Sequence, residues 1–254
     1  MENIFKKAMI LYKDLPKTLP PEEIMKYNIP KMDININREY TYRSLCFLIP
    51  PKVFFPSKAS EIIFDYLFKD KIKINGKNCC IMGCGAGVEV IIVALKGAKS
   101  IYAVDINPAA VEATKHNYQN CGGIKTKSKF YPIVSDLFNF MKRNFRVKFD
   151  LIIFNPPAVS IKCSKNKDII RNACQGSNIL YRFFLQIKKK RILSYRGRIY
   201  VILSNTSELK KIIYNTILLG FIPKIVAYKE YEILKMYLFE FSFFPNRNLE
   251  LKNG

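Results

Sequence analysis

One short run of glycines, Gly83-Cys84-Gly85-Ala86-Gly87, constrains this chain more than any other feature. Apolar residues 79–82 precede the run and a helical pattern follows at 88–95, which predicts a strand, a tight turn and a helix. Glycine lets the backbone approach a ligand closely, and the helix that follows begins with free N–H groups. The run therefore predicts a site for a nucleotide-like ligand, although the same pattern also occurs in turns that bind nothing.

A second predicted strand, residues 101–104, ends at Asp105. This acid lies roughly 20 residues after the glycines, where a βαβ nucleotide fold places the carboxylate that binds a ribose. The dinucleotide fingerprint Gly-x-Gly-x-x-Gly requires its third glycine at position 88, but Val88 stands there and the third glycine comes one residue earlier. The glycine spacing therefore differs from that of a dinucleotide-binding turn.

A third motif follows the buried strand predicted at residues 149–154, where the chain continues as Asn155-Pro156-Pro157. In an open parallel sheet, ligands bind at the carboxyl ends of strands. The two prolines fix φ and lack N–H groups, so the main chain offers carbonyl oxygens here but few donors. Residues 155–157 are therefore the candidate reaction centre.

Together these motifs resemble class I S-adenosylmethionine-dependent methyltransferases. The Gly-x-Gly-x-Gly turn is similar to their first motif, which packs against the methionine part of the cofactor. Asn155-Pro156-Pro157 resembles the fourth motif of the amino-methylating branch, to which release-factor glutamine and RNA N-methyltransferases belong. The resemblance covers residues 47–244 and implies an α/β fold, with a Rossmann-like seven-stranded sheet, helices on both faces and S-adenosyl-L-methionine as cofactor.

The resemblance also assigns site residues. Cofactor contacts fall on the glycine turn, on two later strand ends and on the proline-rich lead-in: Gly83, Cys84, Gly85, Gly87, Asp105, Ile106, Asp136, Leu137, Ser57 and Ser60. A helix N-cap is the alternative role for Asp136. Asn155, Pro156 and Pro157 are the expected catalytic residues. The Asn155 side-chain oxygen and the Pro156 carbonyl would each accept one N–H of a planar nitrogen and stabilise the charge it acquires, with no general base and no metal.

Three departures from the family pattern are visible. Ile81 stands where an acid usually precedes the first glycine, and Lys58 and Ala59 replace acids of the lead-in. The partner of the cofactor's ammonium group is therefore not identified. Ala158 follows the two prolines, where an aromatic ring usually stacks on the acceptor, so a base would need another platform, either Phe154 or an aromatic residue of the N-terminal extension.

An RNA base is slightly favoured as the methyl acceptor. The net charge is +22, which favours a polyanionic partner, although biased composition explains the lysines equally well. Residues 160–172 are predicted as a substrate-side loop. The expected substrate contacts are Asn155, Ala158, Phe154, Lys162 and Lys165. A protein glutamine amide or a small biosynthetic molecule is the alternative, favoured by Ala158, and a non-catalytic cofactor- or RNA-binding descendant is the second.

Domain organisation and location are also predicted. Residues 1–46 are broken by prolines and form an N-terminal extension, either a cap or a loose arm, and residues 47–254 form the methyltransferase domain. Seven cysteines without a Cys-x-x-Cys pair argue against disulfides and zinc. No apolar run is long enough for a membrane span, so a cytoplasmic location is expected. The sequence leaves the oligomeric state open.

Overall fold

The computed structural model describes residues 2–28, 34–120, 126–142 and 144–244. Its centre is a seven-stranded sheet with the order β5-β4-β3-β6-β7-β9-β8, preceded by a separate hairpin of β1 and β2. The strands are β1 Arg38–Tyr42, β2 Leu45–Ile49, β3 Asn78–Met82, β4 Ser100–Asp105, β5 Lys129–Val134, β6 Phe149–Phe154, β7 Leu193–Ser204, β8 Phe221–Tyr231 and β9 Leu234–Phe243. Strands β3 to β7 run parallel, and β9 is antiparallel to both β7 and β8. The predicted seven-stranded sheet is confirmed.

Helices cover both faces of this sheet. They are α1 Glu2–Asp14, α2 Pro21–Asn28, α3 Ser60–Phe68, α4 Val88–Leu95, α5 Pro108–Asn120, α6 Lys167–Ala173, α7 Gly176–Lys190 and α8 Leu209–Leu218, with a 3₁₀ turn at Leu137–Phe140. In β3, Cys79 and Ile81 enter the core beneath α3, α4 and α5, whereas Cys80 and Met82 enter the opposite core, beneath α7 and α8. Because both faces are buried, the central strands are continuously apolar.

The first part of the chain is anchored at two places. The Leu19 N–H donates to the Asn205 carbonyl oxygen (2.8 Å), just beyond β7. Ile24 of α2 is buried in a small cluster with Cys163 and Cys174, which flank α6. Residues 19–24 thus lie beside the carboxyl ends of β6 and β7.

The hairpin of β1 and β2 packs on α5. The Leu48 N–H donates to Asn117 Oδ1 (2.9 Å), and Asn117 Nδ2 donates back to the Leu48 carbonyl (2.8 Å). The domain boundary predicted at residue 46 falls inside β2, and the division into extension and domain stays a prediction. Across the described ranges, we find no helix that combines the length and the apolarity needed to cross a bilayer.

Candidate active site

A cleft of about 300 Å³ opens at the carboxyl ends of β3, β4, β6 and β7. Strands β3 and β6 are parallel neighbours with Met82 opposite Phe154, so the loops that begin at Gly83 and Asn155 start side by side. A Cβ built on Gly83 would lie 3.3 Å from the Phe154 ring and 3.9 Å from the Asn155 carbonyl oxygen. The glycine turn and residues 155–157 therefore line the same cleft.

The glycine turn needs its glycines for backbone shape. Gly83, Gly85 and Gly87 all have positive φ, and a Cβ on Gly87 would lie 3.0 Å from Thr114 of α5. L side chains rarely adopt such φ values, and the contact with Thr114 leaves no room for one. The Cys84 thiol is buried and accepts the Thr114 hydroxyl (3.3 Å), so Cys84 fixes the turn against α5.

Asp105 is held rigidly at the end of β4. Its Oδ2 accepts the Gly85 N–H (3.0 Å) and its Oδ1 accepts the Asn107 N–H (2.8 Å). Burial raises the pKa of this carboxyl, and the two backbone hydrogen bonds oppose that shift. Each oxygen keeps a lone pair for a further donor, as binding of two ribose hydroxyls requires. Ile106 lies in the wall next to it with an exposed side chain, suited to cover an adenine.

Asp136 and Leu137 lie in the cleft wall beyond β5. The Asp136 carboxylate forms an ion pair with Arg182 of α7 and makes no capping hydrogen bond to the 3₁₀ turn. Asp136 does occupy the N-cap position of the 3₁₀ turn, as the alternative role expected, but its side chain pairs with Arg182 instead of capping the turn. Leu137 is buried with φ +50°.

The Asn155 side chain is fixed by a residue far away in sequence. Its Nδ2 donates to Ser60 Oγ (3.0 Å) in the first turn of α3, and the Ser57 N–H donates to the same oxygen (3.2 Å). Because the amide nitrogen makes this hydrogen bond, the other end of the amide, Asn155 Oδ1, is left as an acceptor. Within the described ranges, no residue donates a hydrogen bond to it. Ser60, predicted as a cofactor contact, thus positions Asn155, while Ser57 is exposed and outside the cleft wall.

The proline carbonyls are engaged inside the loop. The Pro156 oxygen accepts the Ala158 N–H (2.8 Å), and the Pro157 oxygen accepts the Gln175 N–H (2.6 Å). A carbonyl oxygen has two lone pairs, so Pro156 can still accept one N–H from a ligand. Ala158 is buried and forms an antiparallel bridge with Cys174. The loop is therefore fixed before any substrate binds.

The predicted substrate contacts are distributed differently. Phe154 is only 2% exposed, and its ring packs 4.9 Å from that of Phe183, so it offers no free face for a base. Lys162 and Lys165 are exposed and lie outside the cleft wall. Of the predicted set, Asn155, Ala158 and Phe154 line the cleft and the two lysines do not.

Helix α6 lies where the sequence predicted a loop. Asn166 caps it, since its side-chain oxygen accepts the N–H groups of Asp168 (2.8 Å) and Ile169 (3.4 Å). This helix brings Arg171 and Asn172 into the cleft wall, and both donate to the Lys52 carbonyl (3.2 Å each). Both residues lie in the segment 160–172 predicted as a substrate-side loop, where Arg171 was expected as a basic loop residue; the helix was not predicted, and the Asn-x-Asp start before two isoleucines was the available signal.

Glu89, in the first turn of α4, also lines the cleft and was not predicted. It is 8% exposed. Burial raises the pKa of this carboxyl to about 7. Within the described ranges, no Lys or Arg forms an ion pair with it.

Replacement of Glu89 by glutamine should stabilise the ligand-free protein at high pH. The folded-state pKa lies above the unfolded one, so the wild type loses stability as pH rises from about 4.5 to 7, whereas the amide does not titrate. The difference between the two proteins should grow from nothing near pH 4 to at most about 3 kcal/mol at pH 8. Urea unfolding at several pH values measures it. A difference that does not vary with pH would contradict the raised pKa.

The cleft fits S-adenosyl-L-methionine. The glycines with positive φ let the backbone approach a ligand closely. The Asp105 carboxylate can accept hydrogen bonds from ribose hydroxyls, and Asn155 lies beside the glycine turn. The fold and the cleft together define a class I S-adenosyl-L-methionine-dependent methyltransferase. More narrowly, the chain belongs to the methyltransferase small domain family, whose profile matches residues 56–235.

Similar proteins agree with this assignment. The chain is 31% identical to a putative protein N5-glutamine methyltransferase of Methanocaldococcus jannaschii over 182 residues, which cover 70% of this chain and 85% of the relative. It is 26% identical to human methyltransferase HEMK2, with 63% and 77% covered.

Two solved structures share the fold. The E. cuniculi Mtq2–Trm112 complex, responsible for methylation of a translation termination factor, superposes with a TM-score of 0.55 at 16% identity, covering 76% of this chain and 99% of that one. The T. thermophilus 16S rRNA N2 methyltransferase, in complex with AdoMet and guanosine, gives 0.57 at 15% identity, covering 82% and 50%. The class, the cofactor and the N-methylation predicted from the motifs are confirmed.

Proposed function

We propose that this enzyme methylates the side-chain amide nitrogen of a glutamine in a protein. The observation that carries the proposal is the free Asn155 Oδ1, held in the cleft beside the glycine turn because Ser60 takes the other end of the amide. This oxygen can accept one N–H of a primary amide, and the second lone pair of the Pro156 carbonyl can accept the other. A planar NH₂ group presents two such hydrogens in one plane.

The lining of the cleft favours an aliphatic amide over a flat base. Ala158, which follows the prolines, is buried and has no ring. Of the three aromatic side chains in the wall, Phe64 and Phe154 are buried, which leaves Phe54 in the lead-in before α3. In the described part of the wall, Phe54 is therefore the one aromatic side chain on which a base could stack, and the position after the prolines offers none. The 31% identical relative is described as a putative glutamine methyltransferase, which supports the same acceptor.

The residues of the chain position the acceptor and stabilise charge. The bound cofactor supplies a methyl group on a positively charged sulfur. An amide nitrogen is a weak nucleophile because its lone pair is delocalised, so alignment within the cleft provides much of the rate. As the nitrogen becomes positive, its N–H groups become stronger donors to Asn155 and Pro156, whose oxygens are already in place. The methylated amide cation loses its proton readily, so no titrating side chain is needed at the acceptor.

An exocyclic amino group of an RNA base is the second candidate. The net charge of +22 and the exposed Lys162 and Lys165 favour it. If RNA is the substrate, the logarithm of its affinity should fall steeply and linearly with the logarithm of the salt concentration. A weak or absent dependence on salt would remove the reason for this candidate.

We further propose that residues 1–46 act as a cap at the acceptor end of the cleft. Leu19 hydrogen-bonds beyond β7 through Asn205, and Ile24 packs beside α6, which contributes to the cleft wall. Because these contacts join the extension to the substrate side, it is placed to select the acceptor. The cytoplasmic location stays a prediction.

Transfer of a tritiated methyl group separates the two acceptors. Cellular protein and total RNA are incubated separately with the enzyme and labelled S-adenosyl-L-methionine, with an Asn155→Ala enzyme as the background control. We expect label in protein that resists ribonuclease and is released by acid hydrolysis as methylamine, the product of an N-methyl amide. Label only in nucleotides released by ribonuclease would overturn the glutamine proposal and favour the RNA candidate.

A further inference from the structure

We infer that Glu89 binds the ammonium group of the methionine part of the cofactor, in place of the acid that this chain lacks at position 81. Ile81 is buried in the core beneath α4 and cannot supply a charge. Lys58 places its ammonium over the Tyr231 ring at 5.2 Å, away from the cleft wall. A different carboxylate must therefore serve the ammonium, since an unpaired cation in a part-buried site is costly.

Three carboxylates line the cleft in the part of the chain that the structure describes: Glu89, Asp105 and Asp136. Asp105 is occupied by the N–H groups of Gly85 and Asn107 and lies at the ribose position. Asp136 is paired with Arg182. Glu89 alone among them has neither a cationic partner nor a hydrogen bond to another described residue.

The position of Glu89 also suits this role. It lies two residues after Gly87, in the first turn of the helix that follows the glycine turn, and it lines the cleft beside that turn, against which the methionine part of the cofactor is expected to pack. Burial disfavours its charged form, a hydrogen bond from its own backbone N–H opposes that pKa shift in part, and a bound ammonium would oppose it further. The carboxylate is therefore a binding group whose partner arrives with the ligand.

Among the described residues, no Lys or Arg forms an ion pair with Glu89, and the groups nearest to it carry no positive charge. The charge of Glu89 contributes to the raised pKa of Tyr40 on β1 and to that of Cys84 in the glycine turn. The Tyr40 hydroxyl donates to Glu61 of α3 (3.4 Å), a second acid nearby, and Asp105 lies at the end of β4. All of these groups are neutral or acidic at pH 7, which makes the region attractive to a cation.

Cofactor fragments test the inference. S-adenosylhomocysteine carries the ammonium group, whereas methylthioadenosine has the same nucleoside and lacks it. Glu89→Gln should weaken S-adenosylhomocysteine binding by about 10- to 100-fold, the range for a lost charge-assisted hydrogen bond, and leave methylthioadenosine binding unchanged. Glu112→Gln, a matched change at an exposed acid of α5 that pairs with Lys115 outside the cleft wall, should alter neither. Equal weakening of both ligands by Glu89→Gln, or of neither, would overturn the inference.

Proton release provides a second readout that a purely structural role would not change. If the ammonium lowers the pKa of Glu89, binding of S-adenosylhomocysteine at pH 7 should release part of a proton. Calorimetry in buffers with different ionisation enthalpies measures this, and Glu89→Gln should abolish it. Release that is unchanged in the variant would contradict the inference. Neither experiment involves the methyl acceptor, so the glutamine proposal can fail while the Glu89 assignment holds.

Discussion

Replacement of Asn155 by alanine is expected to lower kcat by about 100-fold or more, while the Kd for S-adenosyl-L-methionine stays nearly unchanged. The Asn155 side-chain oxygen lies in the cleft, and Ser60 holds it in place. Its hydrogen bond from the nitrogen that receives the methyl group strengthens as that nitrogen becomes positively charged. The cofactor relies on the glycine turn and Asp105 instead. Steady-state methyl transfer and calorimetry with the cofactor measure the two effects separately.

Ser60→Ala provides a graded control for this prediction. Removal of the hydroxyl frees the Asn155 amide nitrogen but keeps its oxygen, so kcat should fall by less than in Asn155→Ala. If Asn155→Ala instead raised only the Kd for the cofactor and left kcat intact, the residue would be a cofactor contact and its catalytic role would be wrong.

Asp105→Ala should have the opposite pattern, weakening cofactor binding by about 100-fold, as expected for the loss of two charge-assisted hydrogen bonds to ribose hydroxyls. Both carboxylate oxygens are already fixed by the Gly85 and Asn107 N–H groups, so the wild-type site loses little entropy when it binds the ribose. Calorimetric titration with S-adenosylhomocysteine measures the change in Kd.

The control must separate binding from stability, because Asp105 also holds the glycine turn through Gly85. Asp105→Asn keeps the side-chain shape and one acceptor oxygen. The Asn variant should therefore bind S-adenosylhomocysteine more tightly than the Ala variant, even when the two variants have similar Tm values. Cofactor affinity that is unchanged in both variants would exclude Asp105 from the ribose site.

Much of the fold follows from local sequence. Parallel strands buried on both faces are short apolar runs, which made β3, β4 and β6 recognisable, and the glycine turn marks the start of α4. Three elements were not predicted: α1, the hairpin of β1 and β2, and α6. The hairpin turns through Arg43 with φ +55° and contains no glycine, so the usual turn signal is absent. Helix α6 has seven residues, and its placement depends on contacts with α2 and Lys52.

The site was predictable where one motif provides both position and chemistry, as at residues 83–87, Asp105 and Asn155. It was not predictable where two distant segments meet. The hydrogen bond between Ser60 and Asn155 joins residues 95 positions apart, and only the tertiary structure brings them together. Basic residues of the segment after the prolines were also poor guides to the site, because Lys162 and Lys165 are exposed outside the wall while Arg171, on α6, lies in it.

A crystal structure with S-adenosylhomocysteine tests the central claim most directly, namely that the glycine turn and Asn155-Pro156-Pro157 serve one reaction centre. We predict the amino-acid part of the ligand over Gly83 to Gly87, the ribose hydroxyls on Asp105, and the sulfur facing Asn155 with room for a methyl group and an acceptor nitrogen at roughly 3 to 3.5 Å. A sulfur atom directed away from Asn155, or a cofactor bound outside this cleft, would contradict the account.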